Sequence, residues 1–338
     1  MTCGKYGTLW PKPTGSTMIG KDVLQFIPSN MLMPSIYCPP LSCVSRDDSY
    51  LVWLVNNAFT LIRKDLQETY DRLKKPDHEA KCHNTAYMDQ IIKTNIIIDS
   101  TVTNLTLETD ESYTLSISQA DNELHVNISA TTFFGVRHAL ETMTQLTAYD
   151  EVHNTMQIVT KAYVVDKPAY PYRGILLDTS RNFFSVKSIM NLVKAMSFSK
   201  MNTLHWHITD THSFPIEIKS VPEMSRYGAY SDRKVYSHED IKKIIDYATL
   251  RGVRVLPEFD QPAHCGNGWQ WGEKKGLGKL AVCVNKEPWG SYCSEPPCGQ
   301  LNPTNENLYP VLGKIYQEYM DLFKPDIFHA GGDEVKIL

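Results

Sequence analysis

Two carboxylates stand side by side at Asp333 and Glu334, behind the apolar run Phe328 to Ala330 and the glycines Gly331 and Gly332. Cleaving a glycosidic bond requires a proton donor at the departing oxygen and a nucleophile or negative charge at the anomeric carbon, tasks usually given to paired carboxylates. Sequence neighbours can divide those tasks, because successive side chains on an extended backbone point to opposite sides. An isolated Asp-Glu pair is more often a solvated turn or the first turn of a helix. Here a strand-like run precedes it, and two glycines leave space for the close approach of a ligand or another strand. Asp178 and Arg181, then Asp210, then Asp260 and His264 likewise follow short apolar runs. Parallel α/β enzymes keep their reactive groups at such strand ends.

Two further features have a bland and a chemical reading. His-x-His in "HWHITD" is how some hydrolases hold a metal. Strict alternation places His205 and His207 on one face and Trp206, Ile208 and Asp210 on the other, with no further ligand at a matching position. Hydrogen-bonded core histidines are therefore favoured, and no metal or other cofactor is expected. Trp289 offers a flat ring that suits the CH face of a sugar, or that simply packs within its loop. Asp178 reads mainly as a turn cap or a partner for Arg173, and Asp260 is open between structure and function.

Positioning these groups takes two kinds of fold. The first half begins with a Pro-rich lead-in and a long amphipathic helix, "YLVWLVNNAFTLIRKDLQETYDRL". The β-branched runs "NIIIDS", "VTNLTLET", "SYTLSIS" and "ELHVNIS" follow and predict an antiparallel sheet with one face covered. "TTFFGVRHALETMTQL" predicts a closing helix, and "VVDKPAYPYR" a linker. Beyond it, nearly continuous apolar strands alternate with amphipathic helices, the pattern of a parallel sheet built from βα units. The strands are expected at 174–178, 203–209, 253–259 and 326–330. The clearest helix is "SHEDIKKIIDYATLRG", with Ser237 as its cap and Gly252 at its end. The expected class is α/β. A small α+β domain over 1–165 precedes the first half of a (β/α)8 barrel over 166–338, because a closed barrel usually takes about 250 residues.

Composition narrows the partners. With 42% hydrophobic and 21% charged residues among 338, the chain is an ordinary globular one. A net charge of −4, with no block of like charges, gives no field for nucleic acid. No apolar run is long enough to span a membrane. Eight cysteines and the sequons at Asn104 and Asn127 suggest an exported protein, secreted or lysosomal, whose leader is not part of this sequence.

Four motifs in fixed order carry a resemblance. "RGILLDTSRNF", "MNTLHWHITDTHSFP", "LPEFDQPAH" and "FHAGGDE" closely resemble the β-N-acetylhexosaminidases of glycoside hydrolase family 20, over roughly residues 160 to 334. "YGTLWPKPTG" and the α+β half resemble that family's small N-terminal domain, and "EPWGSYCSEPPCGQLNP" is most similar to insect, chitin-degrading members. The resemblance implies a substrate-assisted mechanism, in which the sugar's own acetamide oxygen attacks the anomeric carbon. Glu334 would then be the general acid and later the base, and Asp333 would orient the acetamide. Arg181 would hold sugar hydroxyls, and Asp210 and His264 would form a relay behind Glu334. The substrate would be a β-N-acetylhexosaminide oligosaccharide, of chitin or N-glycan origin, and longer relatives often dimerise.

The same resemblance implies departures. Relatives continue through four more βα units and follow the acid with an aromatic and a cysteine, where this chain reads "VKIL". The chain is accordingly expected to be truncated and impaired as a catalyst. Cys283 is expected to lack its partner, Cys293 and Cys298 to close a small loop, and Cys82 to pair with Cys38 or Cys43. Two competing readings are a metal-dependent hydrolase using His205 and His207, and a non-catalytic sugar-binding fragment.

Overall fold

The computed structural model describes residues 7–39, 48–75, 90–121 and 123–335. They form two compact units, the first reaching to Tyr172 and taking in Met196–Met201 and Leu250–Gly252, the second holding the rest.

In the first unit, strands β1 (Thr17–Ile19), β2 (Val23–Phe26) and β3 (Ser35–Tyr37) lead into helix α1 (Asp48–Leu73). Next come β4 (Ile91–Ile98), β5 (Tyr113–Ala120), β6 (Glu123–Ala130), helix α2 (Phe133–Gln145), β7 (Thr147–Asp150), β8 (Thr155–Val159) and β9 (Lys161–Asp166). One sheet runs β1-β9-β5-β6-β4-β3, and a smaller one runs β2-β8-β7. The larger sheet is mixed, which corrects the antiparallel expectation: β4 pairs in parallel with both β3 and β6. The cause lies at 102–109, where a strand was expected and a turn stands instead, Thr109 Oγ1 accepting from Thr106 N at 2.8 Å. The chain leaving β4 passes the end of β6 before entering β5, so β4 and β6 run the same way. Leu54, Val55, Phe59 and Ile62 of α1 recur at helical spacing and are buried in one core with Phe133, Val136 and Leu140 of α2.

The second unit is built on three parallel strands, β10 (Gly174–Asp178), β11 (Thr203–Thr209) and β12 (Arg254–Phe259), in that order across the sheet. Helices α3 (Val186–Phe198), α4 (Glu223–Gly228) and α5 (His238–Leu250) fall between these strands in the chain. After β12 come α6 (Trp271–Lys274), the short strands β13 (Ala281–Val282) and β14 (Gln300–Leu301), and α7 (Leu308–Phe323). Ser237 and Asp240 close a reciprocal cap on α5, each backbone N–H donating to the other's side chain at 3.1 Å. Ile241, Ile244 and Ala248 are its buried face.

The expected fourth strand at 326–330 is reduced to a single parallel bridge, Glu258 to His329. His329 N donates to Pro257 O at 3.2 Å, and Phe259 N donates to His329 O at 3.1 Å. The next rung would need an N–H from residue 257, and proline has none. In the other direction side chains replace the ladder: Gly331 N donates to His329 Nδ1 and Gly332 N to Asp260 Oδ1.

Cys293 and Cys298 are disulfide-bonded, while Cys265 and Cys283 are free. Cys38 is also disulfide-bonded, and Cys43 and Cys82 lie outside the described residues. Among the described residues no helix is long and apolar enough to cross a membrane.

Candidate active site

The second unit gathers its polar groups at the carboxyl ends of β10, β11 and β12. Asp178 ends β10, and its Oδ1 accepts the backbone N–H groups of Ser180 and Arg181 at 2.9 and 3.0 Å, capping the turn that follows. Its other oxygen takes Arg181 Nη1 at 2.8 Å. Arg181 Nη2 then reaches Asp210 at 3.1 Å and Glu295 at 2.8 Å. Burial opposes the guanidinium charge, but the surrounding carboxylates raise its pKa further above the usual range.

Asp210 is almost fully buried, and its Oδ2 is the meeting point of the site. It lies 3.1 Å from Arg181 Nη2, 3.1 Å from His207 Nε2 and 3.2 Å from His264 Nδ1. Burial alone would favour the neutral acid, yet the bonds from His207 and His264 and the nearby Arg181 hold this carboxyl well below its usual range. Alternation in an unbroken strand would have put Asp210 on the face opposite His207. The pairing of β11 with β12 slips between His207 and Thr209, and that irregularity turns Asp210 back toward the histidine.

His264 carries the connection outward from Asp210. Its backbone is left-handed, with φ of 57°, and its buried Nε2 makes no hydrogen bond. That nitrogen faces Glu334 Oε2 at 3.4 Å, Asp333 Oδ2 at 3.7 Å and Asp260 Oδ2 at 3.9 Å. The bond to Asp210 raises the His264 pKa above its usual value against the opposing effect of burial. Burial, with Asp333 and Glu258 nearby, pushes Asp260 up to about 6, although the Gly332 N–H and His264 pull the other way.

Asp333 and Glu334 are exposed, and they do not splay to opposite sides as an extended backbone would have them. Glu334 is also left-handed, φ 55°, which brings both carboxylates toward the same His264 nitrogen. A pocket opens beside Glu334, with Thr211, His264, Tyr292, Glu295 and Pro297 among its walls. The excursion that supplies Tyr292 and Glu295 is tied off by the antiparallel pair β13 and β14 and by the Cys293–Cys298 bridge. Trp289 is on the same excursion, 42% exposed, and is not among the residues lining the pocket.

Sequence reasoning passed over Glu258, Glu295, Tyr292 and His329. Glu258 is buried, and its Oε2 takes His205 Nε2 at 2.8 Å and His207 Nδ1 at 3.0 Å, while Oε1 lies 3.0 Å from His329 Nδ1. These bonds outweigh burial and bring its pKa down to about 2. A lone Glu inside the apolar strand "VRVLPEF" was the available signal. His205, Glu258 and His329, likewise His207, Asp210 and Asp260, and thirdly Asp260, His264 and Asp333, are grouped closely enough to hold a cation. In the first two groups histidine nitrogens already lie within hydrogen-bond reach of a carboxylate, whereas in the third His264 Nε2 stands 3.7 Å from Asp333 and 3.9 Å from Asp260.

Comparison with known proteins identifies the family. Residues 170–337 match the glycosyl hydrolase family 20 catalytic domain, and residues 9–146 match a domain described as beta-acetyl hexosaminidase like. A chitooligosaccharidolytic beta-N-acetylglucosaminidase of Bombyx mori is 42% identical over 337 residues, 99% of this chain and 52% of that protein. The beta-hexosaminidase subunit beta of Felis catus is 37% identical over 267 residues, 78% of this chain and 47% of that one. Among solved structures, the family 20 exo beta-N-acetylglucosaminidase of Vibrio harveyi in complex with N-acetylglucosamine superposes with a TM-score of 0.67 at 26% identity, covering 97% of this chain and 47% of that one. The chain thus spans about half the length of these relatives. Two matched domains in the order seen in the sequence, and identity above 40% along nearly the whole chain, establish that it belongs to glycosyl hydrolase family 20.

Proposed function

We propose that the chain carries the catalytic acid, and part of the sugar site, of an exo-acting β-N-acetylhexosaminidase. Its substrate class is terminal non-reducing β-linked N-acetylglucosamine or N-acetylgalactosamine, on chitooligosaccharides or N-glycans. Retention proceeds with the substrate's help. Glu334 gives its proton to the departing glycosidic oxygen while the acetamide oxygen bonds to the anomeric carbon, forming a cyclic oxazolinium. Asp333 orients the acetamide and faces the positive charge that develops on it. Glu334, now a carboxylate, takes a proton from water, whose oxygen opens the ring at the anomeric carbon with net retention. Asp210 and His264 support Glu334, and Arg181 holds sugar hydroxyls through its rigid donor fork. Trp289 is assigned a sugar-stacking role outside the pocket lining.

The observation that carries this reading is the 3.4 Å approach of Glu334 Oε2 to His264 Nε2, with His264 Nδ1 anchored on Asp210. A general acid that later acts as base needs such a neighbour, able to follow its change of charge. In the same reading, residues 166–338 form the amino-terminal half of a (β/α)8 barrel behind a small domain of residues 1–165. The disulfide supports a secreted or lysosomal setting, and the reading includes a homodimer in a longer form. The test is turnover of a chromogenic N-acetylglucosaminide by the purified chain. Glu334→Gln should lower kcat by about 10²–10⁴. Measurable and equal turnover by the two proteins would overturn the assignment.

A further inference from the structure

Asp210 is held from two sides, and only one side belongs to the relay just described. On the other stands His207, a buried ring whose two nitrogens both face carboxylate oxygens. Nδ1 lies 3.0 Å from Glu258 Oε2, and Nε2 lies 3.1 Å from Asp210 Oδ2. A neutral imidazole has one N–H and one lone pair, so one of those carboxylates would meet a lone pair at hydrogen-bond distance. With both nitrogens protonated, each contact has a donor.

We propose that His207 is a positioning residue, a doubly protonated ring clamped between Glu258 and Asp210 that fixes Asp210 and, through it, turns His264 Nε2 toward Glu334. The inference rests on the reading of Glu334 as acid and base. Three features carry it. The slip in pairing between His207 and Thr209 has the specific result of bringing Asp210 within reach of His207. His264 donates from Nδ1 to the same Asp210 oxygen that His207 holds, so a shift of that oxygen re-aims the whole ring. Glu258 is itself held by His205, whose Nε2 lies 2.8 Å from the same Oε2, and this anchors the base of the clamp.

The groups around the ring favour its charge. Glu258 faces it from β12 and Asp210 from the loop after β11, with Asp178 acting across space from the end of β10. Against them stand Arg181, which shares Asp210 Oδ2, and His205, which shares Glu258 Oε2. Burial disfavours the charged ring, but the bonds to Asp210 and Glu258 prevail and push His207 up to about 10.

The experiment is nitrogen-15 NMR of histidine-labelled chain, with resonances assigned by substitution, alongside steady-state kinetics of His207→Gln. Both His207 nitrogens should stay protonated through pH 8. In His207→Gln, the His264 signals should show loss of its fixed Nδ1–H tautomer. Turnover should fall by about tenfold or more, a fraction of the ~10²–10⁴ that positioned proton transfer supplies. KM should stay within about threefold, and one limb of the kcat–pH profile should move. Glu258→Gln loosens the clamp from its other end and is the second variant, read in the same way should His207→Gln not fold. A neutral His207 at pH 8, or unaltered His264 signals and pH profile in a folded variant, would overturn the inference. Measurable turnover that Glu334→Gln leaves unchanged would instead sink the reading of Glu334 as acid and base, and the NMR measurements would still decide the role of His207.

Discussion

At the scale of single residues, the approach to the carboxylate pair depends on Gly331. A Cβ placed there would lie 1.8 Å from Asp260 Oδ1, and the backbone sits at φ +64°, where side chains are strained. Gly331→Ala must therefore displace Asp260 or the segment bearing Asp333 and Glu334. We expect it to cost about 1–3 kcal/mol of stability. We also expect a far larger loss of turnover than the melting temperature alone would suggest, since a misplacement of about 1 Å can cost 10²-fold. Thermal melting and kcat measured on the same preparation check this. A variant as active as the parent would show that Asp260 does not hold the loop in register. The glycines were legible as a site of close approach, because residue type alone implies it. What they approach was not. The buried Asp260 oxygen is 72 positions away in sequence, and its contact with Gly332 N is made only once β12 is in place. The positive φ of Glu334 was equally hidden, since no residue-type preference points to it.

At the scale of elements, the parallel strands were the most readable part of the chain. "GILLD" and "TLHWHIT" form strands over 174–178 and 203–209, the residues expected; β11 reads as a continuous apolar run because both its faces are covered, whereas β10 keeps Leu176 54% exposed. Pairing partners and local slips are different in kind. They are set by neighbours in space, which is why the β11 irregularity and the parallel pairing of β4 escaped notice. Pro257 was visible all along as a missing donor, but its effect needed a register before it could be placed. The charged cluster on β11 and β12 predicts how stability depends on pH. Glu258 is lowered from 4.5 to about 2, so its contribution is present above about pH 4.5 and is lost as pH falls through 2. His207 is raised from 6.5 to about 10, so its contribution is complete below about pH 6.5 and is lost as pH rises through 10. Urea titrations between pH 2 and 10 should give a dome with both limbs. Glu258→Gln should flatten the acid limb, and persistence of that limb in the variant would assign it elsewhere. The disulfide-closed excursion makes a separate prediction. Because it brings Glu295 to Arg181 at 2.8 Å, replacing Cys293 and Cys298 by serine should raise KM and leave kcat little changed, as expected where ground-state and transition-state binding weaken alike.

At the scale of the whole molecule, the distribution of tryptophan makes these effects separable. The chain has six, and the three that are buried, Trp206, Trp269 and Trp271, all belong to the second unit. In the first unit Trp10 and Trp53 are exposed at 66% and 47%, so their emission is already that of indole in water. Trp206 is the closest reporter. It lies between His205 and His207 in the chain, and its Nε1 donates to Thr179 Oγ1 at 2.9 Å. A red shift of emission on acidification therefore reports opening of the second unit, whereas the far-UV signal sums both units. The first unit has charged pairs of its own, such as Lys200 with Asp166 at 3.1 Å, but none of them involves Glu258. Glu258→Gln should accordingly move the acid midpoint seen by emission and leave in place the part of the far-UV change that belongs to the first unit. If both signals move together by the same amount, the two units unfold as one, and the cluster on β11 and β12 stabilises the entire chain.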